Sequence, residues 1–181
     1  MRRKSVTTEM MMGYIAEALF LLMKHQSFTD ITIGDISEKA GVNRCTYYRH
    51  FKSKEDILSW FLDRMMGEYI AQIDSEADRR QHYGSMFRFF TGYQTELLLI
   101  WNSGLSALLL NTLHRYLKPF VLDKGTVLEE YTVAYHVGGV LNHLLLWFSR
   151  GMCDTPEEMA DIVMTIMPME FEPFLLRKKD N

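Results

Sequence analysis

Thr32-Ile33-Gly34-Asp35-Ile36-Ser37-Glu38-Lys39-Ala40-Gly41-Val42-Asn43-Arg44-Cys45-Thr46-Tyr47-Tyr48-Arg49-His50-Phe51 decides the fold. Thr32 can accept a bond from the unpaired amides of a new helix, and Asp35 suits the positive end of that helix's dipole. A short helix is therefore predicted over 33–40. Gly41 ends it by tolerating a left-handed backbone, Val42 drops toward the core, Asn43 caps again, and a further helix is predicted over 44–50. Two short helices joined by Ala40-Gly41-Val42-Asn43 form the helix-turn-helix layout. Ile36, Ala40, Val42, Tyr47 and Phe51 fall where these helices face each other and the preceding one. Arg44, Cys45, Thr46, Tyr48 and His50 then look outward, on a helix of the size that enters the major groove of a duplex.

Working outward, Met11, Ile15, Ala18, Leu19 and Leu22 recur at spacings of three and four and predict a helix over 8–24. Beyond the motif, Ser53-Lys54-Glu55-Asp56 supplies a cap and two acids ahead of Ile57, Leu58, Phe61, Met65, Tyr69 and Ile73, predicting a long helix that reaches about residue 75. The polar run 74–82 reads as a bend. Helical stretches follow near 83–93, 95–103 and 105–121, then 126–149 and 156–175. The last boundary is written by Gly151 and by Asp154-Thr155-Pro156-Glu157-Glu158, a cap, a proline at the first helical position and two acids. The expected fold is all-α, with about nine helices. A helix-turn-helix domain over 1–53 would precede a helical effector-binding and dimerisation domain over 54–181.

Ile-x-x-Ile-x-x-x-Ala-Gly-Val-x-x-x-Thr-x-Tyr-x-x-Phe-x-x-Lys, carried by Ile33, Ile36, Ala40, Gly41, Val42, Thr46, Tyr48, Phe51 and Lys54, resembles the DNA-binding domain of TetR/AcrR-type transcription regulators. The resemblance covers the first third of the chain. It implies that Arg44, Cys45 and Thr46 face bases, that Tyr48, His50 and Lys54 face phosphates, and that Thr32 adds a phosphate contact. Arg44 has the chemistry to bond a guanine bidentately, and the Thr46 methyl can touch that of thymine. Lys54 at a helix start suits a phosphate. Cys45 stands where the family often has a small residue such as glycine. Tyr135-His136-Val137-Gly138-Gly139, Leu146-Trp147-Phe148-Ser149-Arg150-Gly151-Met152 and Thr155-Pro156-Glu157-Glu158-Met159 resemble the C-terminal region of regulators related to the dihydroxyacetone-kinase regulator. The resemblance implies a homodimer on duplex operator DNA, with repression relieved by a small-molecule effector as the family's default. Activation and corepression stay open.

Composition agrees with a helical, non-membrane protein. Among 181 residues 4 are proline and 11 glycine, which favours long helices over strands joined by many turns. The net charge of -3 splits unevenly. Residues 1–55 carry nine Lys/Arg against six Asp/Glu, a basic head on an acidic remainder, as suits phosphate binding at one end. Cys45 and Cys153 form neither a disulfide framework nor a zinc pattern, which points to a reducing cytoplasm. The apolar run 105–110 is too short to span a bilayer, so no membrane partner is expected.

In the body, Trp101, Tyr135, His136, Asn142, His143 and Trp147 are candidates for an effector cavity, because aromatic walls with a few polar groups hold small molecules. His136 and His143 share a helix face, but no third ligand joins them, so neither a metal nor another cofactor is expected. Gly138, Gly139, Leu141, Leu144, Leu145 and Phe148, with Met159, Ile162, Val163 and Ile166, offer apolar surface for a two-fold four-helix interface. Two other classes compete: a protein-interaction module that keeps the fold without binding DNA, and an enzyme. No Ser/His/Asp, Cys/His or paired-carboxylate constellation supports the latter.

Overall fold

The computed structural model describes residues 2–74, 77–121 and 126–166, and places nine helices and no strand among them. They run α1 Arg2–Met23, α2 Ile33–Lys39, α3 Arg44–His50, α4 Lys54–Ala71, α5 Arg79–Thr91, α6 Gln94–Asn102, α7 Ser106–Val121, α8 Val127–Ser149 and α9 Pro156–Ile166. They divide into two units, the first drawn from residues 1–65 and 99–108 and the second from 66–98 and 109–181.

In the first unit, α2 packs against α1 and α3. Ile15 and Leu19 of α1, Ile36 of α2, Tyr47 of α3, Phe51, and Ile57, Leu58 and Leu62 of α4 are buried. Phe20 meets Phe61 edge to face at 4.7 Å between ring centroids, and Phe51 meets Trp60 in the same manner at 6.2 Å. Such pairs add specific geometry to apolar burial. Val42, expected in the core, is half-buried.

In the second unit, α5 packs along α9. Tyr83, Phe87 and Phe90 of α5 and Met159, Ala160 and Val163 of α9 are buried, as are Leu144, Trp147 and Phe148 of α8. Arg80 pairs with Asp161 at 2.7 Å and Arg88 with Glu157 at 2.8 Å. All four side chains are more than half exposed, so the pairs fix register more than they stabilise.

Three boundaries differ from the sequence-based expectation, the first being that of α1, which begins at Arg2 rather than near residue 8. The long helix α4 stops at Ala71 rather than near 75, and α5 begins at Arg79 inside the stretch read as a bend. Asp78 accepts from the Gln81 amide at 2.8 Å, and the Gln81 side chain accepts from the Asp78 amide at 3.1 Å. That reciprocal cap starts a helix within a run of polar residues. The expected end of the final helix near 175 lies outside the described residues.

Candidate nucleic-acid interface

The segment from Thr32 to Phe51 is built by its caps. Thr32 Oγ1 accepts from the Asp35 amide at 3.1 Å, while Asp35 Oδ2 accepts from the Thr32 amide at 2.8 Å and from its hydroxyl at 2.8 Å. These bonds, those from the Thr32 amide first, hold the Asp35 carboxyl below the ordinary carboxylate range. The helix ends in paired reversed bonds, Gly41 N to Glu38 O at 3.1 Å and Val42 N to Ser37 O at 2.9 Å. Gly41 takes φ +68° to close them, a backbone that favours glycine.

Asn43 then caps α3, its Oδ1 accepting from the Thr46 amide at 2.7 Å and from the Thr46 hydroxyl at 3.0 Å. One turn later Tyr47 is fully buried and lies 6.2 Å from Phe51 between ring centroids. Burial, assisted by Tyr48, Asp56 and Glu55, pushes the Tyr47 phenol up to about 12. Its hydroxyl is buried and meets no hydrogen-bond partner among the described residues. The inner side of α3 is thus fixed by Tyr47 and Phe51. Arg44, Cys45, Tyr48 and Arg49 stand exposed, with Thr46 and His50 half-buried. Residues 43–54 contain Arg44, Arg49, Lys52 and Lys54 and no acid, a charge pattern matched to phosphate.

Lys54, to which the sequence resemblance gave a phosphate-facing role, is held within its own unit. Its ammonium donates to the carbonyls of Phe28, Thr29 and Ile31, the last at 2.7 Å, and lies 4.6 Å from the centroid of the Phe28 ring. Three N–H donors thus meet three carbonyls, which ties the start of α4 to the turn leading into α2. The spacing in sequence gave no sign of this, because the carbonyls belong to a turn more than twenty residues away. Thr32, similarly, spends its hydroxyl on Asp35 while remaining exposed.

The six body residues divide between the two units. Trp101 belongs to the first unit, and the other five fall in the second. Trp147 is buried against Phe87 at 5.4 Å and donates its indole N–H to the Asp154 carbonyl at 3.0 Å. Asn142 donates to the Gly138 carbonyl, and His143 Nδ1 lies 2.8 Å from the Gly139 carbonyl, so both turn back on their own helix. Tyr135 is exposed, and the side chain of His136 lies outside the described residues. A cavity of about 350 Å³ opens elsewhere in this unit, lined by Tyr69, Gln72, His82, Ser85, Arg88 and Phe89 among others. The Tyr69 hydroxyl approaches His82 Nε2 at 3.4 Å, and burial lowers the His82 imidazole below its ordinary value. Among the described residues no cluster of three His, Cys, Asp or Glu is placed to hold a metal, and no helix is long and apolar enough to cross a membrane.

Residues 15–59 match the family described as bacterial regulatory proteins, tetR family. The chain is 32% identical over 123 residues to the HTH-type dhaKLM operon transcriptional activator DhaS of Lactococcus lactis subsp. lactis (strain IL1403), which covers 68% of this chain and 54% of that protein. It is 36% identical over 52 residues to the uncharacterized HTH-type transcriptional regulator YxbF of Bacillus subtilis (strain 168), covering 29% of this chain and 14% of that one. The chain thus spans about half the length of the first of these curated relatives and much less of the second. The solved structure of a dihydroxyacetone kinase operon activator DhaS superposes with a TM-score of 0.61 at 18% identity, over 86% of this chain and 93% of that one. At that identity the likeness establishes the fold.

Proposed function

We infer the function of this chain from its membership of the tetR family of bacterial regulatory proteins: it is a sequence-specific DNA-binding transcription regulator that acts as a homodimer and answers to a small molecule. The observation that carries this reading is the outer side of α3. Tyr47 and Phe51 anchor the helix from within, while Arg44, Cys45, Tyr48 and Arg49 stand exposed on a stretch free of acids. Arg44, Cys45 and Thr46 read base edges, Tyr48 and His50 hold the backbone, and Lys54 and Thr32 set the position of the two helices.

The homodimer is supported by α8. At about 100° per residue, exposed Val127, Leu128, Tyr131, Tyr135 and Leu146 fall on one stripe of the helix. Leu144, Trp147 and Phe148 occupy the other side and are buried within the chain. Ile162 and Ile166 of α9 are also exposed. A second copy covers these positions. A ligand that prefers one conformation of the second unit shifts operator affinity by the ratio of its two affinities, and the cavity at Tyr69, His82 and Arg88 is the compartment we assign to it. Chemistry on a substrate forms no part of this reading.

Ligand-relieved repression is the first form of the regulation, and a dimer seated on a promoter achieves it by occupying the site. Activation is the second, favoured by the name of the Lactococcus relative, a transcriptional activator. The test is selection from a pool of randomised duplexes. A two-fold related sequence is expected to be enriched, and Arg44→Ala should relax it at one base pair per half-site by about 1–3 kcal/mol. Recovery of no preferred sequence would leave the protein-interaction reading in its place.

A further inference from the structure

Gly34 is a helical residue whose backbone does not need glycine. It lies at the second position of α2 outside the left-handed region, where alanine would be the better helix former. What the missing side chain provides is room. A Cβ placed on Gly34 would lie 2.7 Å from Arg44 Nη2, 3.6 Å from Arg44 Cζ and 3.3 Å from Thr32 Oγ1. The first distance is well inside van der Waals contact, so a side chain at 34 makes the guanidinium from the head of α3 swing aside, a shift that costs a flexible arginine little but changes where its donors point. Asp35 is the neighbouring carboxylate; its bonds from Thr32 dominate its charge state, and the Arg44 charge adds the smallest of the influences on it. The bonds from Thr32 hold that acid in place.

We propose that Gly34 is a positioning residue for base recognition, forming with Asp35 a notch in α2 that seats the Arg44 guanidinium before DNA arrives. The inference rests on the reading of Arg44 as a base-contacting residue. An arginine held in one pose loses less side-chain freedom on binding than one that roams in solvent, and that saving is realised only at the base pair it reads. Gly34 therefore acts on specificity while touching no base.

The test compares Gly34→Ala, Arg44→Ala and the double variant on the duplexes enriched by the unaltered protein and on single-base-pair variants of them. Gly34→Ala should reduce preference by about 2- to 10-fold at the one base pair per half-site that Arg44→Ala relaxes. Its melting temperature should stay equal or rise, since alanine is favoured in a helix, and its salt dependence should not change. In the Arg44→Ala background the same substitution should leave preference unaltered, as expected when both act through one contact. Unchanged preference in Gly34→Ala, or an even loss across all sequences, overturns the notch while leaving Arg44 as a reader. Unchanged preference in Arg44→Ala overturns the reading on which the notch rests, and the notch with it.

Discussion

Helices α3 and α8 each carry an outer side that the core of their own unit does not use, and the two sides differ in kind. α3 is seven residues long, buries Tyr47 and exposes arginines, a tyrosine and a cysteine. α8 is 23 residues long, buries Leu144, Trp147 and Phe148 and exposes a stripe of leucine, valine and tyrosine. Cations with an aromatic, on a helix stopped at both ends by caps, suit a phosphate-lined groove. A long apolar stripe suits another apolar helix. The nature of the unused side, and not exposure itself, is the ground on which we assign a nucleic-acid partner to one helix and a protein partner to the other.

The largest effect should come from removing the inner anchor of α3. Tyr47→Ala deletes a fully buried ring and should cost about 3–5 kcal/mol, abolishing DNA binding and unfolding the first unit, as read by circular dichroism and thermal melting. Tyr47→Phe should be neutral or stabilising by the same measurements, because the hydroxyl it removes is buried without a partner. Next in size, Tyr131→Glu with Leu146→Glu places charge on the exposed stripe of α8. The dimer should weaken by about 100-fold or more in sedimentation equilibrium, with helix content unchanged, since neither residue supports the core of its own chain.

Lys54→Met removes donors from the carbonyls of Phe28, Thr29 and Ile31 and should cost about 1–3 kcal/mol in thermal or urea unfolding. A phosphate contact would instead reduce the salt slope of DNA binding, which this substitution should leave unaltered. The smallest effect separates the units by pH. His82 in the second unit is buried, and its folded value is lowered from 6.5 by desolvation. The unfolded chain therefore binds the proton first. Stability should be complete above about pH 6.5 and decline as pH falls through that value toward the lower folded one, by about 1.4 kcal/mol for each unit between them. His82→Phe should flatten this decline in unfolding measured at successive pH values. Among the described residues the first unit buries no histidine, so its own melting should not share it.

The sequence was most legible where local chemistry decides structure. Thr32, Gly41 and Asn43 each announce a cap or a stop, and α2, α3 and their turn lie within a residue of expectation. Pro156 likewise marks the start of α9. Asp78 with Gln81 carries the same signal, but it is masked by the polar run in which it stands. Partners far along the chain were not legible. Lys54 looks like an exposed cation until the Phe28 turn is folded beside it, and Gly34 looks like a weak helix residue until Arg44 lies over it. In α8 the apolar residues were plain, yet which of them the chain buries depends on the packing of its own unit. Leu144, Phe148, Met159 and Val163, apolar enough in sequence to suit an interface, are buried within it.

The most direct test of the central claim is equilibrium binding of the intact protein to a labelled enriched duplex, followed by fluorescence anisotropy across a range of salt concentration. Binding should be tight, with two protomers per duplex and a log–log salt slope of about -0.9 for each phosphate neutralised. Arg44→Ala should weaken binding to that duplex and leave binding to unrelated duplexes nearly unchanged. Binding that is absent, insensitive to salt, or equally affected by Arg44→Ala on every sequence would contradict the claim.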